Sequence, residues 1–143
     1  MKKAVVLTIV LLALTAAFVT AAPTYLGAEK CKMCHKIQYE SWAATKHAKA
    51  TEDAKASTQS KFDASCLTCH ATNKSETMAG VQCEACHGAG SDYKSIQVMK
   101  DKAKAVAAGL VLPTQETCNG CHDGKDHHKQ VKFDRTVVHA HKN

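Results

Sequence analysis

Four copies of one pentapeptide constrain this chain more than any other feature. They read Cys31-Lys32-Met33-Cys34-His35, Cys66-Leu67-Thr68-Cys69-His70, Cys83-Glu84-Ala85-Cys86-His87 and Cys118-Asn119-Gly120-Cys121-His122, and together they use all eight cysteines. Cys-x-x-Cys-His is the attachment pattern for c-type haem. Two thiols one helical turn apart reach the two vinyl groups of one porphyrin, and the adjacent His is carried under the ring to ligate the iron. A Cys-x-x-Cys pair also suits a thioredoxin-like redox centre, half a zinc site or a disulfide. None of these needs a His after the second Cys, whereas here all four copies have one. The motifs therefore predict four c-type haems, each held by its own two thiols and by His35, His70, His87 or His122.

The amino terminus reads as a targeting segment. Lys2 and Lys3 precede an apolar run from Ala4 to Val19, and small residues around Ala21 and Ala22 offer a cleavage site. The expected division is a signal peptide over 1–22 and a tetrahaem domain over 23–143. Haem is attached to such motifs after export, so the expected location is the periplasm or the extracellular space, with no stable membrane insertion after cleavage. An uncleaved anchor is the alternative, since the run is almost long enough to span a bilayer.

Composition supports a core made of cofactors. Three Phe, three Tyr and one Trp are few for 143 residues, and four macrocycles of roughly 600 Da each would supply the missing apolar mass. Such a chain is expected to stay largely unfolded without them, as small metal-organised domains do. The formal charge of +6 is offset by the haem propionates, so it does not point to nucleic acid.

Along the chain, Ile37 to Ala50 reads as a helix carrying Trp42 and His47, and Thr51 to Ala64 as a surface loop or short helix. The twelve residues between His70 and Cys83 keep the second and third haems close. Tyr93 to Ala108 is the clearest helical pattern, with Ile96, Met99, Ala103 and Val106 on one stripe and Gly109 as its stop. Thr114 or Thr117 suits the cap of the fourth motif's helix. Val131 to His141 is amphipathic, helical or extended. Strand patterns are weak throughout. The expected fold is mostly α with much irregular chain, short helices wrapping four haems.

The far side of each iron separates electron carriage from substrate chemistry, because a second strong ligand leaves no open position. Five His lie outside the motifs: His47, His127, His128, His139 and His141. His47 is too far along its helix to reach the first haem and is placed for another. One of His139 and His141 is expected to ligate. His127 and His128 are too close to the fourth motif to cross to that haem's far face, and each is either a ligand to a neighbouring haem or a loop residue. Met99 is a candidate sulfur ligand whose alternative is ordinary packing, and Met33 and Met78 read as packing.

The blocks Gly27-Ala28-Glu29-Lys30-Cys31-Lys32-Met33-Cys34-His35-Lys36, Ser41-Trp42 and Thr45-Lys46-His47-Ala48-Lys49-Ala50 resemble the start of the cytochrome c-554 family, small periplasmic tetrahaem carriers. Val81-Gln82-Cys83-Glu84-Ala85-Cys86-His87-Gly88 and Val138-His139-Ala140-His141 are similar to it too. The resemblance implies that His47 and His139 are distal ligands, that the haems stack in close pairs, and that the second haem lacks a strong distal ligand. The family also has a ligand His shortly after a Gly-Pro-Gly turn. Here that region reads Gly88-Ala89-Gly90-Ser91-Asp92-Tyr93, with Met99 the nearest substitute for the first haem.

These features favour electron transfer with transient redox-protein partners over catalysis, with the oligomeric state open. The alternatives are a small haem reductase acting on a nitrogen oxide at a five-coordinate haem, and a subunit of an extracellular cytochrome filament. Against the reductase, the chain lacks the Cys-x-x-Cys-Lys variant that marks a nitrite reductase active haem.

Overall fold

The computed structural model describes residues 21–140. The segment expected to be a signal peptide lies outside the described residues except for its last two positions, and His141 lies outside them as well. The described chain is a succession of short helices joined by irregular backbone. These are α1 (Ala28–Lys32), α2 (Lys36–Ala43), α3 (Ala50–Ala56), α4 (Leu67–His70), α5 (Cys83–His87), α6 (Ile96–Met99), α7 (Lys102–Ala107), α8 (Gln115–Asn119) and α9 (Arg135–Val138). Single 3-10 turns lie at Ala64–Cys66, Thr72–Lys74 and Glu76–Met78. The only β pairing among the described residues is an isolated bridge region between Ala71 and Ala79–Gly80. This is the expected class, mostly helical with much irregular chain.

Each haem motif sits in or against one of these helices: α1 carries the first, α4 the second, α5 the third and α8 the fourth. The fourth is capped as the sequence suggests, the Thr114 N–H donating to Thr117 Oγ1 at 3.1 Å.

Two long helices expected from periodicity are each broken. The pattern over Ile37 to Ala50 ends as helix at Ala43, because the Thr45 N–H and Oγ1 both donate to the Trp42 carbonyl, at 2.8 and 2.7 Å. Chain 44–49 then turns before α3 begins, so His47 lies on a turn. The pattern over Tyr93 to Ala108 starts only after Ser95 and breaks at Asp101, whose carboxylate accepts the Lys104 N–H at 3.1 Å and starts α7 afresh. The expected buried stripe is displaced as a result: Ile96 and Val106 are exposed to the polypeptide's outside, and Ala105 is the buried member. Gly109, at φ +99°, ends α7 as expected, with Leu110 N–H donating back to Ala105 O at 2.9 Å.

The apolar core is small. Among the described residues it consists of Ala28, Trp42, Leu67, Ala71, Tyr93 and Ala105. Much of the interior is instead polar and fully hydrogen-bonded. Thr72, wholly buried, donates from Oγ1 to Gly80 O at 2.9 Å and accepts the Gln82 N–H at 2.8 Å. Thr51 Oγ1 donates to His70 O and accepts the Gly80 N–H at 2.7 Å. These two hydroxyls tie the start of α3 to the second motif and to the chain entering the third. No buried side-chain nitrogen or oxygen among the described residues lacks a partner.

Glu84, inside the third motif, ties down the stretch ahead of the first motif. Its buried carboxylate accepts the N–H groups of Leu26 (2.9 Å), Gly27 (2.7 Å) and Gly90 (2.7 Å). Gly90 fits closely there, since a Cβ would stand 3.0 Å from Glu84 Oε1 and 3.3 Å from Leu26 Cδ1. Tyr93 closes the same corner, donating to Gly88 O at 2.7 Å. Burial, with the Glu84 carboxylate next in weight, pushes its phenol well above the usual tyrosine range.

Candidate haem-binding site

All eight motif cysteines are free thiols, with no disulfide between them. Their contacts bring the motifs together in a definite order. Cys31 and Cys83 share a hydrogen bond that raises the pKa of the first and lowers that of the second. Cys121 is pushed up to about 12 by burial and by a hydrogen bond with Cys69. Cys86 is raised by burial and by the neighbouring Cys118. The first motif thus adjoins the third, the third adjoins the fourth, and the fourth adjoins the second. The short linker after His70 meets the third motif through the turn at Thr72, whose hydroxyl binds Gln82 N–H just ahead of α5.

Three motif imidazoles are braced in one way. His70 Nδ1 lies 3.2 Å from Ala50 O, His87 Nδ1 3.1 Å from Val111 O and His122 Nδ1 3.0 Å from Lys129 O. A carbonyl only accepts, so each Nδ1 carries the proton. Each Nε2 is left as an unprotonated donor to a metal, the arrangement in which metal-binding His is usually oriented.

The same three imidazoles each face a second one. Ring centroids lie 6.1 Å apart for His47 and His122, 6.2 Å for His70 and His127, and 6.1 Å for His87 and His139, with interplanar angles of 62°, 18° and 52°. These gaps are too wide for ring-on-ring contact. Two metal–nitrogen bonds of about 2 Å, together with the ~1 Å from each ring nitrogen to its ring centre, would separate the centroids by about 6 Å. The spacing therefore fits an iron held between the two rings. Burial, with the nearby His122 ring, holds His47 below the usual histidine range, and burial does the same for His87, keeping both in the neutral form that a metal needs.

The second ring of each pair is delivered by a specific backbone device. His47 stands where its own carbonyl accepts the Val81 N–H at 2.8 Å, opposite Gly80, which has φ +80°. A Cβ on Gly80 would fall 2.5 Å from Ala48 O, so only glycine lets the two segments close on each other. Trp42 reinforces the clamp, its Nε1–H donating to Val81 O at 2.8 Å. His139 follows α9, and the next residue anchors it to α2, the Ala140 N–H donating to Ser41 Oγ at 2.9 Å. His127 sits in a loop turned by two left-handed residues, Gly124 (φ +80°) and Asp126 (φ +48°).

Among the described residues no aromatic ring faces His35. Met99 is half-buried at the end of α6. No three His, Cys, Asp or Glu side chains among the described residues converge on one point, so the imidazoles meet in pairs and not as the fourfold cage of a structural zinc. The apolar side chains left outside the small core include Met33, 79% exposed, and Ile37, 55% exposed, both next to the first motif. Thiol pairs, braced imidazoles, rings at iron-spanning distance and uncovered apolar residues beside the motifs all suit c-type haem.

The sequence leaves the role of His127 open and carries no sign of the carbonyl braces. The double left-handed turn at Gly124 and Asp126 is the local clue to His127. The carbonyls of Ala50, Val111 and Lys129 carry no side-chain signature at all.

Comparison with known proteins agrees with this geometry. Residues 30–88 match the family described as cytochrome c554 and c-prime. Cytochrome c-554 of Nitrosomonas europaea is 30% identical over 132 aligned residues, covering 67% of this chain and 56% of the relative, so the chain spans little more than half the length of that protein. The solved structure of reduced cytochrome c554 from the same organism superposes with a TM-score of 0.58 at 25% identity, covering 82% of this chain and 77% of the other. The chain belongs to the cytochrome c554 family of multihaem c-type cytochromes, and its cofactors are four c-type haems.

Proposed function

We propose that this protein is a periplasmic electron carrier, exported by a signal peptide over 1–22 and passing electrons between transient redox-protein partners through residues 23–143. The observation that carries the reading is the set of three imidazole pairs at 6.1–6.2 Å, because irons closed on both faces exchange electrons without binding substrate. When bound, the haems supply one-electron ferric–ferrous chemistry. The chain does the rest. Cys31 and Cys34, Cys66 and Cys69, Cys83 and Cys86, and Cys118 and Cys121 hold the four groups. His35, His70, His87 and His122 serve as proximal ligands, His47 stands opposite His122, and His139 opposite His87. Met99, the nearest substitute for a His after Gly88-Ala89-Gly90, would serve the first haem. The four motifs lie side by side in the order first, third, fourth, second, and the Nδ1–carbonyl bonds fix the rings that set each iron's environment.

Among the described residues no helix is long and apolar enough to cross a membrane. Mass spectrometry of the exported protein is expected to show loss of the leader and gain of four haem masses. Reductive titration is expected to take up four electrons per molecule, and the reduced protein to reoxidise rapidly on mixing with an oxidised small cytochrome. Uptake of fewer than four electrons, or no exchange with a protein oxidant, would overturn the proposal.

A further inference from the structure

We propose that His127 is the distal axial ligand of the second haem, the one attached at Cys66 and Cys69 and held by His70. The inference rests on the tetrahaem reading above and goes against what the resemblance implies, namely that the second haem lacks a strong ligand on its far face.

Three observations carry it. First, the His127 and His70 rings stand 6.2 Å apart with planes 18° from parallel, the same centroid spacing as the other two facing pairs. Second, the loop is built to project this side chain. The His128 Nδ1–H donates to Asp123 Oδ1 at 3.1 Å, and the Lys125 N–H donates to the same oxygen at 3.0 Å, drawing the loop shut behind His127. Two residues further on, Lys129 O accepts from His122. One seven-residue stretch, 123–129, therefore braces the proximal imidazole of the fourth motif and presents a second imidazole to its neighbour. Third, the neighbour is within reach, because Cys121 of the fourth motif lies close enough to Cys69 of the second for the two thiols to perturb each other. A His five positions after His122 cannot fold round to the far face of its own haem, but it can cross to the adjoining one.

His128 is the competitor. Its ring meets that of His127 edge-on at 4.4 Å, and its Nδ1 is committed to Asp123, so it buttresses the loop instead of facing His70.

The test uses the full haem-loaded protein. The unmutated protein and His127→Ala are first weighed to show four haems each. Low-temperature electron paramagnetic resonance of the oxidised His127→Ala protein is then expected to show one more high-spin iron per molecule than the unmutated protein. Its reduced form is expected to bind one more equivalent of carbon monoxide. Millimolar imidazole should return the extra iron to low spin. His128→Asn, which keeps a donor for Asp123, should retain the unmutated count. An unchanged high-spin count in His127→Ala, or a rise in His128→Asn instead, would overturn the assignment. So would an added signal that imidazole leaves in place, since that would mark general loosening of the haem. A mass short of four haems in the unmutated protein would overturn the tetrahaem reading itself, and the proposal with it.

Discussion

At Glu84 one carboxylate gathers backbone N–H groups from two stretches that are far apart in sequence, Leu26–Gly27 and Gly90. Hydrogen bonds to a charged acceptor are worth about 1.5–3 kcal/mol each, and donors orphaned in a buried place cost comparable amounts. Glu84→Ala is therefore expected to lower the unfolding free energy of the haem-loaded protein by about 3 kcal/mol or more, with Glu84→Gln intermediate, measured by denaturant titration followed in the haem absorption band. The residue occupies a variable position of a Cys-x-x-Cys-His motif, where composition says nothing of its task. The haem-attachment pattern was legible because chemistry fixes its residue types and spacing. Glu84, Thr51 and Thr72 were not, because what they bind is main chain, which every residue offers alike.

At the scale of elements, the helices are shorter than their periodicity suggests. The interruptions come from residues that were visible: Ser95 accepts the Val98 N–H at 3.3 Å, and Asp101 accepts that of Lys104. Both are good N-caps standing inside a window with helical hydrophobic spacing, and local side-chain capping prevailed over the pattern. The stripe of Ile96, Met99, Ala103 and Val106 misled for a further reason, since in a protein whose apolar bulk is a cofactor, an apolar face need not meet other side chains. His47 shows how a turn replaces a helix as the carrier of a site residue. Its clamp against Gly80 leaves no room for a methyl group. Gly80→Ala, at φ +80° and facing Ala48 O, is expected to cost about 1–3 kcal/mol in backbone strain alone. The shift of segment 47–48 should broaden the low-spin signal of the haem at His122 before the protein melts, a change visible by paramagnetic resonance below the unfolding transition.

Across the 120 described residues, six buried apolar side chains are too few to hold the chain together. The polypeptide made without haem attachment is expected to show a mainly disordered circular dichroism spectrum and no cooperative melting, with helix appearing only on haem insertion; a folded, cooperative apo form would contradict this. The class of fold and the number of cofactors were legible from four repeated pentapeptides. The pairing of imidazoles was not, since which loop arrives opposite which motif is decided by the assembled chain.

The three facing pairs share one property: His47, His70 and His87 each meet a ring that comes much later in the chain, at His122, His127 and His139. In a chain made from its amino end, the earlier partner of each pair emerges first and waits for the later one. With haems in place, the irons at His70 and His87 would stay open on one face until His127 and His139 arrive. The stretch carrying His127 and His139 would then act as a latch, and a chain cut short before it is expected to leave two irons open to added ligands.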